Sequence, residues 1–303
     1  MEIQNQFKQD FNSLPTFIKE MNMFVDNQLP MLPQHFTLTQ KRILGYAIAL
    51  IKVEDREKTE SELSKTKFTI QVSNFKKAFN LKQQNGRLYL DLKEACNDLM
   101  DQKTTVINKK EKFTHVFNWC QDVKYIDKEG RIEINFTEAI AEFLTKLTKN
   151  FTKYNLFVSH SFKSVYTVRI YEMLQTRKDT NIKKMSFNEF KRVLQLPDSY
   201  KTPALIKAQI LKKVQDELNT KLDLGFEFEF RRDKRFEGNF EVILKANKNE
   251  ENVLSWLYEK NEEVEVITTN KKNNIKSKKI ENVFIESNDD LPFLTDFSKI
   301  IKK

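Results

Sequence analysis

Apolar residues along this chain switch repeatedly between helical spacing and strict alternation, and the order of the switches is informative. In "TLTQKRILGYAIALI" the residues Ile43, Leu44, Ala47, Ile48 and Ile51 recur at helical spacing behind Thr39, a residue suited to capping a first turn. "KFTIQV" alternates instead, which sets Phe68, Ile70 and Val72 on one side of a strand, and Ser73 then stands as the cap of a short helix, "NFKKAFNL". After Gly86 the helical period returns in "RLYLDLKEACNDLMD", with Leu88, Leu92, Ala95, Cys96 and Leu99 on one face. Strand-like runs follow near "TTVIN" and within "FTHVFNWCQDVKYI". A turn at "DKEG" then leads to the strand "RIEINF" and the helix "TEAIAEFLTKL".

The same order returns in the second third. "SFKSVYTVRIYEMLQTR" reads as a helix, Ser186 caps the short helix "FNEFKRVLQL", and Pro197 and Asp198 make a turn. A third helix runs from Thr202, followed by the alternating strands "GFEFEF" and "NFEVIL" around a hairpin tip, "RRDKRFEGN". Helix, short capped helix, helix and hairpin is the order of a winged helix. The fold class expected is therefore α+β: two tandem winged-helix domains, mostly helical, with β-hairpin wings. The boundaries fall at 1–36 for a loosely ordered or short helical leader interrupted by Pro15, Pro30 and Pro33, at 37–150 for the first domain, at 151–246 for the second, and at 247–303 for a C-terminal helix and polar tail. The division near residue 150 lies in the polar stretch "TKNFTKYN".

Charge sharpens this division. The formal net charge is +9. Residues 151–246 hold 19 basic and 12 acidic side chains, against 23 and 20 in residues 1–150, so most of the excess sits in the second domain. A basic patch confined to one domain is the electrostatic footprint of a polyanion binder, although a lysine-rich surface also arises without a partner.

The helix from 202 carries this argument furthest. Thr202 is a good N-cap and Pro203 suits the first helical position, where its missing N–H is not needed. Leu205, Ile206, Ile210, Leu211, Val214 and Leu218 form a stripe directed at a core, and Lys207, Gln209, Lys212 and Lys213 fall away from it, with Lys201 just before the helix. Most charged helix faces are simply solvated. Here a capped short helix precedes the segment, and the hairpin after it carries Arg231, Arg232, Lys234 and Arg235. A basic third helix beside a basic wing matches phosphates and base edges, so these residues, with Thr202, are the expected contacts to double-stranded DNA. In the first domain the candidates are Lys76 and Lys77 on the capped helix, Gln83, Asn85 and Arg87 at the start of the third, and Lys109, Lys110 and Lys112 at a wing. That domain is almost charge-balanced, so ordinary surface is nearly as good an account of them. Phe113, Phe117 and Trp119 fit a core or a dimer face better than stacking on bases.

These residues together resemble the initiator replication proteins of plasmids whose origins carry directly repeated sites, or iterons. The likeness is carried by "RIYEML" (169–174), "SFNEFKRVLQL" (186–196), "DSY" (198–200) and "IKAQILKKVQDELN" (206–219), and it covers roughly residues 37–246. Where that family often has an Arg-Arg pair in the third helix, this chain has Ala208 and Gln209, and Lys213 stands where a proline is common. Contacts made by the Arg pair therefore do not transfer, although Gln209 can read an adenine edge. The resemblance implies iteron binding as a monomer through both domains, opening of an adjacent AT-rich segment, and recruitment of a host initiator and the replicative helicase. It also implies a homodimer in equilibrium with the monomer, joined through the first domain and repressing its own gene at an operator. A bacterial cytoplasmic protein associated with plasmid or nucleoid, with no membrane partner, is what that implies. A winged-helix repressor without a replication role is the alternative, and a nicking-type enzyme a more distant one.

Chemistry for an enzyme is not evident. The five glycines make neither GxGxxG nor GxxxxGK[ST], which argues against a P-loop. His35, His115 and His160 lie far apart and form no HxH pair, and Cys96 and Cys120 make no CxxC. No catalytic residue, metal or cofactor is expected, and Tyr166, Tyr171 and Tyr200 read as packing residues. Two cysteines without a motif suit a reducing cytoplasm, no run reaches the roughly 18 apolar residues of a membrane span, and the N-terminus lacks the pattern of a secretory signal. "NDDLPF" (288–293) resembles the acidic tip by which single-strand-binding proteins dock partners, but ten residues follow it, and a plain polar tail is the stronger reading.

Overall fold

The computed structural model describes residues 2–108, 112–177, 180–235 and 238–248. The chain opens with helices α1 (Glu2–Asn12) and α2 (Thr16–Lys19), strand β1 (Asn22–Asp26) and a 3₁₀ turn (Leu29–Met31). Helices α3 (Leu38–Ala49), α4 (Val53–Arg56) and α5 (Glu60–Ser64) follow, then β2 (Phe68–Gln71), α6 (Val72–Ala78) and α7 (Asn85–Asp101). Next come β3 (Lys103–Asn108), β4 (Phe113–Asn118), β5 (Cys120–Ile126), β6 (Arg131–Phe136), α8 (Glu138–Ala141), β7 (Phe151–Asn155) and α9 (Leu156–His160). The last part holds α10 (Val165–Gln175), β8 (Ile182–Ser186), α11 (Phe187–Val193), α12 (Pro203–Ile206), a π-helical turn (Lys207–Leu211), α13 (Lys212–Leu222), β9 (Phe226–Arg232) and β10 (Phe240–Ala246).

Two antiparallel three-stranded sheets share one plan. In the first half the order is β2-β6-β5, and in the second it is β8-β10-β9. In each, the strand preceding the short helix pairs with the last strand of the hairpin that follows the third helix. Helices α3, α6 and α7 cover the first sheet, and α10, α11 and α13 the second. This is the expected winged helix built twice. The five apolar residues marked on α7 are all buried, and Ser186 caps α11 by accepting from the Glu189 N–H at 3.1 Å.

Several local expectations are corrected. The cap of α3 is Thr37, not Thr39: its hydroxyl accepts from Gln40 N–H, and the Gln40 side chain returns to Thr37 N–H, which satisfies two free donors at once. Helix α6 already begins at Val72, with Ser73 inside its first turn. The helix read in "TEAIAEFLTKL" is only α8, four residues long. The hairpin β3–β4, which carries the expected wing at residues 109–112, is an insertion outside the three-stranded sheet; the wing proper is β5–β6, turned at Gly130 in the left-handed region. Lys109, Lys110 and the whole of residues 249–303, with the C-terminal helix and "NDDLPF", lie outside the described residues.

Residues 2–36 are built into the fold rather than leading up to it. Phe7 and Phe11 pack on Phe157 at ring distances of 5.3 and 5.6 Å, and β1 pairs with β7, setting Met23 opposite Tyr154 and Val25 opposite Thr152. The polar-looking stretch around residue 150 thus contains a strand whose inward residues, Thr152 and Tyr154, are buried. Buried apolar side chains from both halves join one continuous core.

A buried ionic cluster ties the two halves together. Lys41 of α3 meets Glu172 of α10 at 2.9 Å, with both side chains almost fully buried, and Tyr154 donates to the same carboxylate at 3.2 Å. One turn back on α10, Arg169 sets its Nη2 3.0 Å from the Pro30 carbonyl, 2.9 Å from that of Leu32 and 3.1 Å from that of Val193. It therefore links the N-terminal segment to α11. Burial lowers the Arg169 guanidinium to about 10, with Glu172 opposing the shift. Alongside, Arg42 donates to the carbonyls of His160 and Phe162. A Cβ on Gly45 would stand 2.5 Å from His160 Nε2, so only glycine lets α3 approach α9 this closely.

Two outcomes are expected. Glu172→Ala leaves buried cations without their counter-charge and should cost about 3–5 kcal/mol in denaturant unfolding, whereas Glu54→Ala, which breaks an exposed pair with Lys52, should cost under about 1 kcal/mol. His160 is wholly buried, and burial, then the Lys41 and Arg42 cations, hold its imidazole well below 6.5. Below that pH the unfolded chain takes up a proton that the folded chain refuses. Stability should therefore fall as pH drops from 6.5, by up to about 1.4 kcal/mol per unit, and a His160→Gln chain should lose that slope in unfolding measured across pH 5 to 7.5.

Candidate nucleic-acid interface

The third helix of the second domain starts as its sequence indicates. Thr202 lies extended at the N-cap with its hydroxyl 3.5 Å from Leu205 N, and Pro203 occupies the first turn. Ile206, Ile210, Leu211, Val214, Leu218 and Leu222 are buried. Leu205, expected in that stripe, is instead 39% exposed. The π turn separates Ile206 from Ile210 by three consecutive exposed residues, Lys207, Ala208 and Gln209, and Lys212 and Lys213 continue the outer face. Widened turns of this kind recur at functional sites.

The wing is held to this helix by polar contacts that the sequence reading did not identify. Asn219 accepts from the Phe226 N–H at 2.5 Å and donates to the Phe226 carbonyl at 3.1 Å, and Gln215, one turn earlier, donates to the same carbonyl at 2.9 Å. The signal available was a pair of amides at (i, i+4) between the apolar stripe and the lysine face. Asp223 ends the helix in the left-handed region, and β9 departs toward the tip.

Cations at the tip divide into two groups. Arg235 pairs with Asp233 at 2.7 Å, which together with a backbone N–H lowers that carboxyl to about 2. Arg231 lies between Glu229 at 3.4 Å and Glu241 at 3.6 Å. Among the described residues Lys207, Lys212, Lys213, Arg232 and Lys234 have no ion-pair partner, and all are exposed. Lys201 and Thr202 are exposed at the head of the helix. Helix and wing thus present unneutralised positive charge from adjoining elements.

The first domain is different. Lys77 is exposed and Lys76 half-buried on α6. Gln83, Asn85 and Arg87 are exposed around the start of α7, but Gln83 and Arg87 both engage Asp91 at 3.0 Å. Its wing tip turns back onto the helix, where Asp127 accepts from Tyr89 at 2.7 Å and pairs with Lys93 at 3.3 Å. Phe117 and Trp119 are buried and Phe113 is half-buried, with Trp119 donating to Thr104 at 2.8 Å, so these aromatics serve the core. No His, Cys, Asp and Glu cluster able to hold a metal occurs among the described residues, and no helix among them is long and apolar enough to cross a membrane.

A family model described as "Initiator Replication protein, WH1" matches residues 22–175, and one described as "Initiator Rep protein, WH2" matches residues 186–241. The chain belongs to the initiator replication protein family. A replication initiation protein of Escherichia coli is 29% identical to this family member over 209 residues, which make up 67% of this chain and 63% of that relative. The chain thus spans less than two thirds of that relative's length. An uncharacterized 27.6 kDa protein of Escherichia coli is 23% identical over 237 residues, 76% of this chain and 97% of that protein. Among solved structures, the Pi initiator protein in complex with iteron DNA matches with a TM-score of 0.59 at 19% identity, over 77% of this chain and 99% of that one. That likeness is one of fold, and it agrees with the two winged-helix domains of this initiator-family chain.

The amide bridge between helix and wing is testable. Asn219→Ala leaves the Phe226 N–H without its acceptor and should destabilise the second domain by about 1–3 kcal/mol, read as an earlier transition in denaturant unfolding followed by tryptophan-independent circular dichroism.

Proposed function

We propose that this chain is a plasmid replication initiator that binds directly repeated origin sites on double-stranded DNA, without catalytic chemistry of its own. The observation that carries the reading is the set of five exposed cations, without acidic partners among the described residues, on the third helix and wing of the second domain. An unneutralised surface of this kind releases counterions from phosphates when it docks. Membership of the family supports the role in replication, and the fold it shares with an initiator solved on iteron DNA supports the mode of binding. Lys201, Thr202, Lys207, Gln209, Lys212, Lys213, Arg231, Arg232, Lys234 and Arg235 form the principal contact set. Arg231 and Arg235 act as positioned charges because carboxylates hold them. Lys76, Lys77, Gln83, Asn85 and Arg87 form a weaker auxiliary set in the first domain.

The finer parts of this proposal are that the monomer opens adjacent AT-rich DNA and recruits host replication factors, and that a dimer joined through the first domain represses the chain's own gene. DNA beside the gene separates initiator from repressor. Several direct repeats of about 20 base pairs next to an AT-rich tract belong to an initiator, since two helical turns suit a two-domain reader; a lone inverted repeat would point to a repressor. Site-specific nicking of supercoiled plasmid in Mg²⁺ or Mn²⁺ would overturn the non-enzymatic part.

Changing Lys207, Lys212 and Arg232 together to Ala should weaken binding and flatten its dependence on salt. If each meets one phosphate, the slope of log affinity against log salt should fall by about 3. A triple variant with unchanged slope, measured by fluorescence anisotropy between 50 and 200 mM salt, places the interface elsewhere.

A further inference from the structure

Among the described residues, few large apolar side chains are exposed, and two of them stand on the third helices of the two domains. Leu205 is 39% exposed in the first turn of the second domain's helix, and Leu90 is 58% exposed on α7. Neither packs into the core: Leu205 precedes the buried Ile206, and Leu90 lies on the face of α7 opposite the buried Leu88 and Leu92. Scattered exposed leucines are ordinary. Two at the corresponding element of two domains are a pattern, although charged neighbours (Arg87, Lys93 and Glu94) also surround Leu90 on α7.

On the second helix, Ala208 and Gln209 follow Leu205 across the π turn, and all three are exposed. On α7, Gly86 lies four residues before Leu90, and a Cβ there would meet nothing within 4 Å; Asn85 is exposed beside it. Each helix therefore offers a leucine, a near-absent side chain that lets the backbone come close, and a primary amide. In the major groove an amide donates to adenine N7 and accepts from N6, while an apolar side chain meets only one apolar group, the thymine 5-methyl. Guanine pairs offer neither match.

We propose, building on the DNA-binding reading above, that the third helix of each domain reads A·T pairs. Leu205 and Leu90 seat against thymine methyls, and Gln209 and Asn85 pair with adenine edges. The lysines of the second helix supply most of the affinity; the leucines and amides supply the preference.

The test starts with duplexes selected by the full-length chain from a random 20-base-pair pool. Two clusters of A·T pairs should emerge. Replacing the thymines of one cluster by deoxyuridine removes only the methyl groups, and should weaken wild-type binding about fourfold per methyl contacted. Leu205→Ala should bind the thymine duplex about as weakly as wild type binds the uracil duplex. It should ignore uracil in the cluster read by the second domain and still respond in the other; Leu90→Ala should show the reverse. Gln209→Ala should likewise ignore 7-deazaadenine where wild type is weakened by it. Wild type indifferent to uracil, or leucine variants that keep the full uracil penalty in both clusters, would overturn the proposal while leaving DNA binding intact. Selection that yields no preferred sequence at all would instead remove the DNA-reading function on which it rests.

Discussion

The mutual placement of the two winged helices depends on charges removed from water. Lys41, Arg169 and Glu172 sit where hydration is lost, and each is costly there unless the others and the nearby carbonyls are in register. The cluster is therefore intolerant of sliding. Lys41 comes from the first domain's opening helix, the carbonyls of Pro30 and Leu32 from the N-terminal segment, and that of Val193 from the second domain's short helix. A purely apolar contact of the same area would tolerate several alignments; this one favours a single alignment. Together with the shared apolar core, the cluster on α10 ties the two halves, and so the two third helices, into one arrangement.

The two domains share a strand order but differ in what their wings do. In the first, Asp127 folds the tip back onto Tyr89 and Lys93, so acidic and basic groups neutralise one another. In the second, Arg232 and Lys234 are left without such partners among the described residues. One topology thus yields a quiet surface and an electropositive one, and the difference resides in a handful of tip residues rather than in the fold.

Much of this was legible in sequence wherever the signal is local. The five inward residues of α7, the Ser186 cap and the Thr202-Pro203 start depend only on neighbours along the chain, and spacing identifies them. Non-local features escaped. Strand β8 carries Lys183 and Lys184 beside Met185, so it has no clear alternation of its own and exists because β10 supplies a partner. Strands β1 and β7 are recognisable only as a pair. Periodicity counts Leu205 as inward, and the π turn alters the phase that such counting assumes. The "RIYEML" stretch, which marks the family resemblance, contributes Arg169 and Glu172 to the buried cluster, so its charged residues are architectural. Gln215 and Asn219 were missed because amides beside a lysine face look solvated.

The pairing of Asn22 with Asn155 has a consequence for how the protein is made. A ribosome adding roughly 5–20 residues per second takes roughly 7–25 s to travel from one strand to the other. Throughout that interval the edge of β1 that will pair with β7 has no partner strand, although α3, against which β1 also packs, is made soon after it. The early segment is thus a natural client for chaperones during translation, and synonymous changes that slow decoding between the two strands would lengthen its exposure.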